Sequence, residues 1–168
     1  MKPIKSLLGL LIFCLMILLQ SNAFGNGEMV AVNSPLYNEL MPVAVKWKNA
    51  VLNKNIKVLV DCVLPEDREY IIPKLKDKNS KLYNFLFKDK TSIYEILRKS
   101  KNLKIVLVKH EGLEQAGQGV TIYFYDEERV KLTFPVNSNE EQKLYNQGKI
   151  VSKFFFKTEG QWFTSYEF

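Results

Sequence analysis

The sequence predicts an α+β protein, with short N-terminal helices packed on an antiparallel sheet of about four to five strands. Three observations carry that prediction. Apolar residues recur at helical spacing up to about Arg98, and from Leu103 the period changes to two. The later segments are separated mainly by short turns, so nothing supports the crossover helices of a parallel sheet. The twenty-one residues from Gly148 to Phe168 (GKIVSKFFFKTEGQWFTSYEF) alternate over two arms that meet at Glu159-Gly160.

Residues 1–23 stand apart from this domain. Lys2 and Lys5 form a positive leader, Ser6 to Leu19 is apolar, and Ser21-Asn22-Ala23 offers small residues to a signal peptidase. The run falls short of the roughly 20 apolar residues of a spanning helix. Export with cleavage after Ala23 is therefore expected, to a periplasmic or secreted location, leaving no transmembrane span. The mature chain would hold 145 of the 168 residues, a lead-in over 24–33 and one domain over 34–168. Cys14 leaves with the leader, so Cys62 remains as a lone cysteine and packing must do the work of disulfides.

Phe24 to Asn33 shows little pattern and reads as flexible. Ser34-Pro35 suits a helix start, which Pro42 should interrupt or restart. Val43, Trp47, Ala50 and Val51 share one helical face, and Asn55 opens a short helix through Val63. Ser80 and Ser92 can cap two more, the second with Glu95 as a capping box. Strands follow at 103–108, 120–125 and 130–134, the last ended by Pro135. Ser138 with Glu141 reads as another capping box, and Gly148 as the stop of that helix. Helices should lie on one side of the sheet.

The order of these elements, with Leu64-Pro65-Glu66-Asp67 after the second helix and a Gly160-Gln161-Trp162…Ser165-Tyr166-Glu167-Phe168 ending, resembles the nuclear-transport-factor-2-like (cystatin-like, SnoaL-type) superfamily. The resemblance spans residues 40–168, with extra helical material at 66–100 as a departure. It implies a curved antiparallel sheet wrapped around helices to enclose an apolar pocket. The superfamily includes enzymes, small-molecule binders and interaction modules, so it implies no single function.

Chemistry-bearing residues are sparse. His110 is the lone histidine, which excludes a multi-histidine metal site, and no cofactor is indicated. His110 beside Glu111 and Glu114 could act as a base, or could be an exposed loop-edge histidine. Cys62 in its apolar run reads as a core residue rather than a nucleophile. Asp61, an acid next to that run, could face a pocket, as the isomerase branch of the resembled superfamily requires, or could face solvent. Asp126-Glu127-Glu128 lacks the spacing of a calcium loop, and the glycines at 112, 117 and 119 read as hairpin flexibility.

Aromatics are the strongest remaining signal, and Trp47, Tyr123, Phe154, Phe156 and Trp162 are candidates for a pocket wall. Charge is the other. The chain's +6 falls to +4 without the leader, and residues 74–104 alone carry ten bases against three acids. That segment is a lysine-rich solvated surface or a site for an anionic envelope polymer. Nucleic acid is disfavoured because the chain is expected to be exported. The leading expectation is a non-catalytic exported binding domain for a small apolar ligand or an envelope partner; a pocket isomerase or dehydratase using Asp61 or His110 is the alternative. Mass spectrometry of the protein isolated from its producing cell is expected to show a mature N-terminus at Phe24; a retained Met1 would refute cleavage.

Overall fold

The computed structural model describes residues 27–110, 119–134 and 136–164. The expected leader, most of the glycine loop, Pro135 and the Ser165–Phe168 ending lie outside the described residues. Five antiparallel strands form a meander in chain order: β1 (Gly27–Met29), β2 (Leu103–His110), β3 (Gly119–Asp126), β4 (Ile150–Thr158) and β5 (Gln161–Thr164). Between β1 and β2 run helices α1 (Pro35–Leu52), α2 (Ile56–Asp61), α3 (Arg68–Lys76), α4 (Lys81–Tyr83, continuing as a π-turn over Asn84–Lys88) and α5 (Ile93–Lys99). Helix α6 (Ser138–Asn146) sits between β3 and β4. No helix among the described residues is long and apolar enough to cross a membrane.

Local chemistry sets the helix ends. The side chains of Ser34, Asn55, Ser80 and Ser92 each accept a backbone N–H at the start of α1, α2, α4 and α5. Pro42 does not break α1. It lies on the exposed side, while Leu40, Ala44, Trp47, Ala50 and Val51 on the other side are buried. An internal proline costs about 3 kcal/mol, and burying one or two large side chains offsets that.

The sheet buries both faces of its central strand: every residue of β3 is buried. One face carries Leu103, Ile105, Leu107, Val120, Ile122, Phe124, Val151, Phe155 and Trp162, which join Leu40, Trp47, Ile71, Leu75, Leu86, Ile93 and Ile96 in the main core. The opposite face holds a smaller cluster of Tyr125 and Ile150 against Leu144 of α6, with Val130, Leu132 and Phe134 packed around it. Helical material therefore covers both faces, not one.

Three further expectations are corrected. Residues 130–134 form no strand. Strand β3 already pairs with β2 on one edge and β4 on the other, so the alternating side chains Val130, Leu132 and Phe134 lie over the sheet as a cover. Gly27–Met29, within the stretch read as a lead-in, pairs with β2 from Gly27↔His110 to Met29↔Val108 and covers that edge. The cap of α6 is Asn137, whose Oδ1 accepts from Glu140 N at 2.9 Å, and not Ser138.

The β4–β5 turn matches expectation. Glu159 (φ 50) and Gly160 (φ 76) are both left-handed, the conformation of a two-residue type I′ hairpin, and Thr158 pairs with Gln161 across it. Gly148 (φ 65) likewise ends α6 in the left-handed conformation.

The acidic triplet after β3 is a structural knot. Asp126 is buried and accepts from Lys101 N at 2.8 Å and from Glu128 N at 3.1 Å. Glu127 pairs with Lys104, and Glu128 accepts from the Asn102 amide. All three acids thus fasten the end of β3 to the entry of β2. Asp126→Ala is expected to destabilise the fold by about 1–3 kcal/mol, because two N–H groups lose their acceptor. Glu127→Ala, which removes an exposed pair, should cost under about 1 kcal/mol. Chemical denaturation of the two variants checks the contrast.

Candidate functional site

The proposed aromatic wall divides between the two faces of the sheet. Trp47 projects from the buried side of α1 onto Phe124 (ring centroids 5.4 Å apart) and edge-on to Phe155 (6.5 Å). Trp162 is on the same face, across from Lys157, whose ammonium lies 5.7 Å from its ring centroid. Lys157 also pairs with Glu39 of α1, which holds that carboxyl below its usual range and ties the hairpin to the helix. Rings in contact at these distances fill the space between helix and sheet as core.

Tyr123, Phe154 and Phe156 point the other way. Alternation along β4 places Val151, Lys153 and Phe155 toward the helices and Ser152, Phe154 and Phe156 away from them. Phe155, not Phe154 or Phe156, meets Trp47. Phe154 and Phe156 stack with centroids 6.2 Å apart and are half-buried. They lie at the end of their face remote from α6, since Phe156 pairs with Gly119 while Ile150 pairs with Tyr125.

Tyr123 belongs to a polar group that sequence reasoning missed. Its hydroxyl donates to Glu141 Oε2 at 2.9 Å, and the Ser152 hydroxyl donates to Glu141 Oε1. Tyr123 and Ser152 are cross-strand partners, so one carboxylate from α6 receives both hydroxyls. Burial and the adjacent carboxylate push the Tyr123 hydroxyl far above its ordinary pKa, which keeps it a proton donor. The arrangement anchors α6 to the sheet. Glu141 was read as the reciprocal half of a capping box, and only the register of β3 with β4 reveals its actual partners.

The backbones of Asp61 and His110, the two residues considered for catalysis, lie beside different strands. Asp61, last in α2, is exposed. The carbonyl of the next residue, Cys62, accepts from Thr164 N of β5 at 2.8 Å, which places this helix end at the β5 edge. His110 closes β2, with its backbone paired to Gly27. Strands β3 and β4 intervene, and three strand spacings amount to roughly 14 Å. The Cys62 thiol is buried, and desolvation pushes its pKa up, as suits a core residue. Among the described residues no cluster of three or more His, Cys, Asp or Glu side chains could hold a metal.

Lys153, which beside Phe154–Phe156 resembles part of a basic–aromatic surface, is instead turned inward. It lies on the helix-facing side of β4, opposite Ile122, between Val151 and Phe155. It is buried, and desolvation alone pulls its pKa down from 10.5 to about 7. Alternation puts Lys153 on the side of Phe155, and the register of β4 with β3 makes that side the buried one.

The sign of its linkage follows. Between about pH 7 and pH 10 the unfolded chain holds the Lys153 proton and the folded chain does not, so stability rises with pH across that window. Below it, the folded state carries a buried ammonium, which desolvation disfavours. Lys153→Met is expected to be more stable than the parent at neutral pH and to have a flatter pH profile. Denaturation at about pH 6, 7.5 and 9 tests this, and equal slopes for the two proteins would refute it.

No family model, no curated protein and no solved structure matches the chain.

Proposed function

We propose that the chain is an exported, non-catalytic binding domain that holds a small apolar ligand or an envelope partner on the sheet face turned away from α1. The observation that carries this reading is the stacked, half-buried Phe154–Phe156 pair, at the end of that face remote from α6. Aromatic rings offer large contact area with little rotamer entropy to lose, which suits them to recognition. Phe163, across from Phe156 on the same face, is buried and backs the pair. The packing of Trp47 on Phe124 and Phe155 moves the expected site off the helix-facing side, where the rings serve as core. The nuclear-transport-factor-2-like resemblance remains part of the proposal. The separation of Asp61 from His110 lends no support to the isomerase or dehydratase alternative.

Native mass spectrometry of the protein purified from its producing cell is the test. An apolar adduct or a bound partner is expected on the parent and should be lost in Phe154→Ser/Phe156→Ser, with the melting transition of the variant monitored in parallel. A parent free of adduct and partner, or one whose adduct survives the double substitution in a folded variant, would overturn the reading.

A further inference from the structure

The structure carries a second surface, independent of the sheet face. Helices α3, α4 and α5 turn Ile71, Leu75, Leu86, Phe87, Ile93, Ile96 and Leu97 into the main core. Their outer side and the connections between them carry the basic residues of 74–104. Of those ten, all but Lys74 are exposed. Neutralisation is thin: Arg98 and Lys99 share Glu95, and Lys104 pairs with Glu127. Among the described residues, Lys76, Lys78, Lys81, Lys88, Lys90 and Lys101 form no ion pair.

Helix dipoles explain part of this set. Lys74 and Lys76 end α3, Lys88 ends the π-turn, and Arg98 and Lys99 end α5, where cations stabilise helix C-termini. Lys78, Lys81, Lys90 and Lys101 have no such reason. Lys81 stands at the first position of α4, where the dipole opposes a positive charge, and the other three lie in connections. These four exposed ammonium groups form no ion pair among the described residues, and the positive charge of the segment raises the self-repulsion of the fold. A partner that supplies spaced negative charge removes that repulsion.

We propose that this layer binds a linear polyanion bearing repeated phosphate or carboxylate groups. Lysine predominates nine to one over arginine in the segment, which favours point-charge attraction over bidentate recognition of nucleic-acid bases. Apart from the exposed Tyr70, the large apolar side chains of these helices are buried or partly buried in the core, so the layer offers little to insert into a bilayer. A flexible charged polymer lying across the ridges fits both facts.

Fluorescence anisotropy with labelled inorganic polyphosphate and labelled poly-glutamate tests the inference on the full mature chain. Binding is expected to weaken at least about tenfold between about 50 and 300 mM salt, as several ion contacts release their counterions. Lys78→Glu/Lys81→Glu/Lys90→Glu should lose about tenfold or more with an unchanged melting temperature, and Lys143→Glu on α6 should bind as the parent does. Absence of binding to both polymers, or binding unaltered by the triple reversal, would overturn the proposal. So would capture of anionic phospholipid vesicles without capture of polymer, or tighter binding to duplex DNA than to either polymer. Loss of this binding would leave the Phe154–Phe156 reading untouched, because the substituted residues lie on different elements.

Discussion

The fold depends on one strand being buried on both of its faces. Strand β3 lies at the centre of the meander, with Val120, Ile122 and Phe124 against the helical core and Tyr123 and Tyr125 against α6 and residues 130–134. A strand so placed has no solvent side on which to put a polar group cheaply. Two of its polar side chains are satisfied by specific partners: Tyr123 by Glu141, Asp126 by two backbone N–H groups. The two covers are not equivalent. The helical side is a broad apolar core centred on Trp47, whereas the other side is narrower and held in part by hydroxyl–carboxylate bonds.

Lys153 belongs to the same constraint. Its strand neighbours β3, and its face is the apolar one, so an ammonium there is expensive. The fold tolerates it by easing the amine toward its neutral form near physiological pH. A protein selected for stability alone has little reason to keep a lysine between Val151 and Phe155.

Sequence periodicity was a good guide to elements and a poor guide to partners. The helix-to-strand switch near Leu103, the helix starts at Ser34, Asn55, Ser80 and Ser92, and the Glu159-Gly160 turn were legible because each depends on residues within a few positions. Alternation also sorted the side chains of β4 correctly into two sets. Which set met the helices was not legible, because Phe154–Phe155–Phe156 satisfies either choice, and the register of β4 with β3 decides it. The strand predicted over 130–134 failed for a related reason: its pattern is that of a strand, but both edges of β3 were taken. Glu141 looked like a capping residue since its true partners come from two strands. The basic surface was visible as composition alone; the exposure of Lys78, Lys81 and Lys90, and their lack of an ion pair among the described residues, required the structure.

The turn at Glu159-Gly160 also acts as a selector. Its two left-handed residues fix a register in which Lys157 lies opposite Trp162 and Phe156 opposite Phe163. Side chains alternate with a period of two, so one extra or missing residue in that turn exchanges the faces of everything beyond it. Phe163 would then look toward the helices and Trp162 away from them. Two left-handed residues therefore decide which aromatic ring joins the helical core and which lies on the opposite face.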